Sequence, residues 1–129
     1  MCGFGYTGVG KAIASWSESR RLRALAYEEE AQGFYRMTDY RVVGFRRSET
    51  PRMKYDAILM RQMGQGVYST SYIPFGTLGD SHYDDKTGLG LYSDTDHHDE
   101  KKRQRFIQRR AGLLRPGMFS AAHFEIHYL

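Results

Sequence analysis

One cysteine, Cys2, and three prolines are all that this 129-residue chain has of the residues that staple or stiffen small folds. A single thiol excludes an internal disulfide framework and is compatible with a reducing compartment. No apolar run approaches the roughly 18–20 residues that span a bilayer. The first residues lack the basic start and continuous apolar core of a secretory signal. Gly3 follows Cys2 rather than the initiator, so no myristoylation site is expected. These absences predict a chain with no membrane span, soluble and intracellular, or part of an assembly made inside a cell.

Reactive constellations are also missing. No serine stands in a nucleophile-elbow pattern, and Cys2 lies in a glycine-rich head. Asp84-Asp85 reads as an exposed turn pair rather than an acid–base couple. Gly5-Tyr-Thr-Gly-Val-Gly10-Lys11-Ala12 nearly spells a phosphate-binding loop. Such a loop needs a preceding strand, and a hydroxyl after the lysine to reach magnesium. Alanine at position 12 fails that test. The expectation is therefore no catalytic residue, no cofactor and no enzyme.

Aromatic residues and segregated charge are what the chain does have. Ten Tyr and seven Phe accompany a net charge of +4. Tyrosine supplies apolar area with a polar tip, which suits half-buried strands and interfaces. Between Asp94 and Gly112 the acids and histidines come first, then Lys101, Lys102, Arg103, Arg105, Arg109 and Arg110. That order complements a helix dipole, positive at its start and negative at its end. Asp94, Asp96, His97, His98, Asp99 and Glu100 have the chemistry of metal ligands. Within that segment there is no His-x-x-x-His pair and no calcium-loop spacing, and helix capping accounts for the acids. No metal is expected.

The pattern along the chain predicts an α+β fold: an N-terminal helix, a small antiparallel sheet and two C-terminal helices. Residues 1–10 form an arm, and Lys11 to about Ala31 a helix with a broken stripe of Ile13, Trp16, Leu22, Leu25 and Ala26. Arg20, Arg21 and Arg23 precede Glu28, Glu29 and Glu30, against the dipole, so this helix should depend on outside contacts. Tyr40–Phe45 is a short strand, followed by a turn over Arg46–Pro51. Lys54–Met63 and Val67–Phe75 are strands joined around Gly64-Gln65-Gly66, with Pro74 arguing against a central position for the second. Leu89–Tyr92 reads as a further short strand. Asp96 is the expected N-cap of the basic helix, with Asp99 at its third position, Ala111 its last residue and Gly112 its stop. Pro116 opens a last helix with Phe119, Ala122, Ile126 and Leu129 on one face.

Lys101, Lys102, Arg105 and Arg109 fall three or four residues apart and so share a face, while Phe106 and Ile107 turn towards the core. A face of this kind suits phosphates through sequence-independent charge, or the acids of a neighbouring protein.

KYDAIL (54–59), PFGTLGDSHYDDKTGLGLY (74–92) and SDTDHHDEKKRQRFIQRR (93–110) together resemble an uncharacterised family of small proteins encoded by large nucleocytoplasmic DNA viruses of algae and amoebae. The family's helix often closes with Arg-His, where this chain has Arg109-Arg110. The resemblance covers a little over half the chain, weakens towards 129 and leaves residues 1–53 outside. It implies a compact module at 54–129 attached to an N-terminal arm and helix at 1–53 that docks on partners. It also implies a viral source. The glycine-rich arm, the tyrosine-rich strands and the apolar pattern that runs to Leu129 then point to a location in the virion, with assembly inside the infected host cell, and to other virion proteins, capsid subunits among them, as partners. The expected function is a non-enzymatic minor capsid or cement-like component that bridges larger subunits. The alternative is a nucleic-acid-binding protein that contacts phosphates through the helix at 97–111. Tyr68, Tyr72, Phe119, Ile126 and Leu129 are the expected apolar contacts with partners, and Lys101, Lys102, Arg105 and Arg109 the charged ones.

Overall fold

The computed structural model describes Glu18 and residues 20–129. The arm at 1–10, Cys2, the loop-like stretch at 5–12, Ile13 and Trp16 lie outside the described residues. The chain divides into two compact units, residues 1–32 and 33–129. In the first, helix α1 covers 20–31 among the described residues, and Leu22, Leu25 and Tyr27 of its sequence are exposed. The amide of Gln32 closes it by donating to the carbonyls of Glu28 and Glu29.

The second unit is α+β, as its patterning predicts. Its elements are β1 (Tyr35–Arg36), β2 (Arg41–Arg47), β3 (Met53–Gly64), β4 (Val67–Thr77), a 3-10 turn (Ser93–Thr95), α2 (Glu100–Ala111), β5 (Met118–Phe119) and α3 (Ala121–Tyr128). β2, β3 and β4 form an antiparallel sheet in that order, and β1 pairs with β5 in a separate two-stranded ladder. Because β2 pairs along its length with β3, residues 33–53 belong with the sheet rather than with the N-terminal helix.

β3 is the central strand, and its alternation sets the core. Tyr55, Ala57 and Leu59 are fully buried on one face. Opposite them in register stand Phe75 and Ile73 of β4, and Phe45 and Val42 of β2. Helix α3 covers this face: Phe124 is fully buried and meets Phe45, Phe75 and Phe119 through ring contacts of 5.5–6.0 Å. Fully burying a phenylalanine contributes about 2–3 kcal/mol. Pro74 is tolerated because β4 is an edge strand, where one side of the backbone needs no ladder partner. The hairpin turns at Gln65-Gly66, with Gly66 in the left-handed region that such tight turns require.

Several expected elements lie elsewhere. The first strand of the sheet extends to Arg47, taking Arg46 and Arg47 out of the expected turn. Leu89–Tyr92 is not a strand: Gly88 and Gly90 have φ of 84° and 62°, and the Leu91 amide donates to the Tyr55 hydroxyl rather than to a ladder. The N-cap of α2 is Asp99, whose carboxylate accepts from the amides of Lys101 and Lys102. Asp96 is extended and its carboxylate is occupied by the Asp85 amide at 2.9 Å. The last helix begins at Ala121, capped by Ser120, because Met118–Phe119 are drawn into the ladder with Tyr35–Arg36. Phe119 is therefore extended rather than helical. Glu125 is buried on α3 while Ile126 is only half-buried, the reverse of what hydropathy suggests.

Gly76 marks where β4 meets the C-terminus. Its φ is 77°, and a β-carbon there would stand 2.7 Å from Leu129 Cδ1, in a side chain that is itself buried. Gly76→Ala should cost about 2 kcal/mol, the left-handed penalty together with crowding. Urea unfolding of the purified variant against wild type measures this, and an unchanged midpoint would contradict the packing described.

Candidate functional site

Helix α2 has no buried residue. Arg103, Phe106, Ile107 and Arg110 are half-buried, and their spacing of three, one and three residues draws one stripe towards the body. Lys101, Lys102, Arg105 and Arg109 stay exposed, on the outer surface that the charge pattern predicts. What fastens the stripe is mostly polar. The Arg103 guanidinium lies 4.8 Å from the centre of the Tyr83 ring, Phe106 meets His82 edge-on at 5.7 Å, and Arg110 Nε stands 3.0 Å from Glu125 Oε2.

The counterpart of the stripe is the long loop from Leu78 to Asp99. Loops of this length without regular structure are uncommon in compact domains unless they serve a site. This one is tied down by its backbone. The amides of Tyr83 and Asp84 both donate to the Leu129 carbonyl at 3.1 Å, and Lys86 donates to Tyr128 at 2.8 Å. His97 donates to His82 and His98 to Tyr83, at 2.9 and 3.2 Å, which zips the two arms of the loop together. Asp85 is the hub inside: it accepts from the amide and hydroxyl of Thr87, at 2.8 and 2.6 Å, and from the Tyr55 hydroxyl. Burial and this carboxylate push the Tyr55 phenol up to about 12. Asp85 is thus a structural anchor and not an exposed turn acid.

Between loop and helix runs a groove of about 710 Å³. Its helix side carries Lys102, Arg103, Arg105, Phe106 and Arg109; its loop side carries His82, Tyr83 and His97. A second hollow of about 440 Å³ adjoins it and shares Ser81, His82, Phe106 and Arg109. Ammonium and guanidinium groups offer only donors, so the groove is suited to ligands rich in acceptors. Among the described residues, Lys101, Lys102, Arg105 and Arg109 make no ion pair. Arg110 does, and its partner is unusual. Glu125 is 4% exposed and accepts from the Gly76 amide at 3.3 Å through its other oxygen. Burial pushes the Glu125 carboxyl up, against the pull of Arg110.

His82 is buried at the floor. Its Nδ1 is 2.9 Å from Lys54 Nζ, which also donates to the Asp80 carbonyl at 2.7 Å. Burial, then the Lys54 charge, lowers His82 to about 4, so it is a neutral imidazole at pH 7. Burial also lowers Lys54, opposed by Asp96, Asp80, Asp85 and Asp94.

Of the six acids and histidines with metal-ligand chemistry, the structure gathers Asp96 and His98, and adds Asp84. One ligand atom from each lies within 4.8 Å of the others. Each already has a protein role: Asp96 accepts from the Asp85 amide, and His98 Nε2 faces Asp84 Oδ1 at 3.6 Å. Loop closure accounts for their convergence without an ion. On α3, His123 and His127 are a His-x-x-x-His pair with ring centres 4.5 Å apart, and burial, then His127, lowers His123.

The other expected contact residues are dispersed. Leu129 is 3% exposed, part of the core, and Phe119 stacks on Phe124, so neither is a free contact surface. Ile126 is half-buried. Tyr68 is exposed, and the Arg46 guanidinium covers the Tyr72 ring at 3.7 Å. The aromatic groups beside the cations are instead Phe106 of α2 itself and Tyr83, His82 and His97 of the loop, and no periodicity in sequence links those three to α2. No protein-family model matches the chain, and neither a curated protein nor a solved structure does. Among the described residues no helix is long and apolar enough to cross a membrane.

Arg110→Ala should destabilise the fold by about 2 kcal/mol at pH 7, less than for a fully buried pair because Arg110 is about one-third exposed. The Glu125 carboxyl titrates higher folded than unfolded, so a folded carboxylate without its cation is penalised above that raised value. Acidification lets the folded state take up the proton and should shrink the loss. Urea titrations at pH 7 and pH 5 measure both, and a loss that grows on acidification contradicts the assignment.

Proposed function

We propose that this protein binds nucleic acid, holding the phosphate backbone in the groove along α2. One observation carries the reading: a run of lysine and arginine without acidic partners among the described residues lines a groove that also holds aromatic rings. Arginine presents a planar fork that matches phosphate oxygens, and lysine a mobile point charge. Tyr83 and His97 offer rings beside the backbone track, as single-strand binders do. The overall charge of +4 is small, so the attraction is a local field rather than a whole-molecule one.

Four phosphates met by Lys102, Arg103, Arg105 and Arg109 give a slope of log affinity against log salt of about −3 to −4. Between 50 and 200 mM salt, roughly a hundredfold of affinity should disappear. Fluorescence anisotropy with a labelled oligonucleotide reads this directly. Replacing Lys101, Lys102, Arg105 and Arg109 with alanine should abolish binding while the fold stands, since all four are exposed. Absent or salt-insensitive binding by wild type would sink the reading.

A second reading, a minor capsid or cement-like protein in the virion, is favoured by a different surface. The turn end of the β3–β4 hairpin leaves Met63, Val67 and Tyr68 exposed, at 60%, 58% and 48%. Isolated apolar residues are normal on a surface, whereas a contiguous patch marks an interface. The protein should then persist in purified, nuclease-treated virions, and its removal with the nucleic acid would exclude this role.

A further inference from the structure

The groove has a specific end. We propose that His82 and Arg109 form a subsite for one phosphodiester group, in which the neutral imidazole donates a hydrogen bond and the guanidinium supplies the charge. This deepens the nucleic-acid reading and rests on it. It adds a fixed point of attachment to what would otherwise be a sliding electrostatic contact.

His82 is 5% exposed, yet it lines both hollows that meet under α2, as does Arg109. Its Nδ1 faces Lys54 Nζ at 2.9 Å. Lys54 donates to the Asp80 carbonyl; burial lowers its pKa, and the carboxylates of Asp96, Asp80, Asp85 and Asp94 oppose that shift. An ammonium has only N–H groups to offer, so Nδ1 accepts and the ring proton resides on Nε2. No group among the described residues pairs with that Nε2–H. Among the described residues Glu125 Oε2, and not His82 Nε2, is the fully buried side-chain atom without a hydrogen-bond partner, so the open His82 donor faces the hollows that the ring lines and is available to an acceptor from outside. The remaining polar group at this point, the Ser81 hydroxyl, is engaged with the Thr95 carbonyl. Phe106 sets its ring edge-on to the imidazole at 5.7 Å, which restricts rotation and keeps the donor aimed.

A neutral donor beside a guanidinium suits an anionic oxygen, and the geometry of a fork and a single N–H suits two oxygens of a tetrahedral group. Asp80 also lines the smaller hollow, and a carboxylate there penalises a dianionic terminal phosphate more than a monoanionic diester. The internal backbone of a strand is thus the fitting ligand. Lys54 touches no ligand; it is a positioning residue that selects the tautomer.

The test uses the full chain with labelled histidine in long-range ¹H–¹⁵N spectra, alongside anisotropy. Before any ligand, the His82 signals should report a proton on Nε2. Adding a short oligonucleotide without terminal phosphates should shift that Nε2–H. His82→Phe should weaken binding about three- to tenfold, the range of one neutral hydrogen bond, and leave the salt slope unchanged because no charge is lost. Arg109→Ala should weaken binding and lower the slope by about one. If His82→Phe does not fold, the wild-type spectra decide alone. An oligonucleotide that shifts α2 signals but not Nε2–H would overturn the subsite and leave nucleic-acid binding standing. Inorganic phosphate that shifts Nε2–H, with no oligonucleotide binding, would support an anion subsite and overturn the nucleic-acid reading. Tighter binding of a terminally phosphorylated strand through His82 would overturn the preference for a diester.

Discussion

The carboxylate of Glu125 is where sheet, C-terminal helix and basic helix meet. One oxygen takes the Gly76 amide at the end of β4, and the other faces Arg110 of α2. Since α2 buries no residue of its own, apolar packing contributes little to holding it, and the helix depends on this ion pair and on two ring contacts. The arrangement carries a cost. A buried carboxylate must be compensated, and the Arg110 pair has the position but not the angle of a hydrogen bond, so Oε2 has no other partner. The same cost makes the geometry specific, because a shifted α2 would leave the charge uncovered.

Around that junction, charge is divided by sign. Asp99 caps α2 and Glu100 begins it, while Arg109 and Arg110 end it, in keeping with the dipole at both ends. Cations that a dipole alone would place only in the last turn also occupy the first, at Lys101 and Lys102, where they gain nothing from it. Lys102 lines the groove, while Lys101 stands outside its lining. Without acidic partners in the described chain, they stay available to an acceptor from outside.

Rigidity in this unit comes from backbone hydrogen bonds at the C-terminus as much as from the core. The carbonyls of Tyr128 and Leu129 accept from Lys86, Tyr83 and Asp84, so the end of α3 holds the groove's loop wall. Leu129 itself fills the space above Gly76. A tail that sequence suggests for docking outward is used inward, which moves the open surface from the C-terminus to α2 and the hairpin tip. The site is thereby a product of the fold's closure, and loosening α3 should loosen the loop.

Periodicity was enough to place β3, β4 and most of α2, because each has a long run with one repeating face: Tyr55, Ala57 and Leu59 on a strand, Phe106 and Ile107 on a helix. Local signals failed where a distant partner intervened. Leu89–Tyr92 looks like a strand until Tyr55 takes its amide; Asp96 looks like a cap until Asp85 occupies it; Phe119 looks helical until Tyr35 pairs with it. The basic face of the groove was legible, since charge spacing on a helix is a local property. Its other wall was not, because Tyr83 is held by the Leu129 carbonyl at the far end of the chain, while His82 is held by the His97 amide and, across 28 positions, by Lys54. Sequence alone determined the longer elements and the sign of their charge; tertiary structure decided the short ones and which donors converge, because convergence across distant segments leaves no period to read.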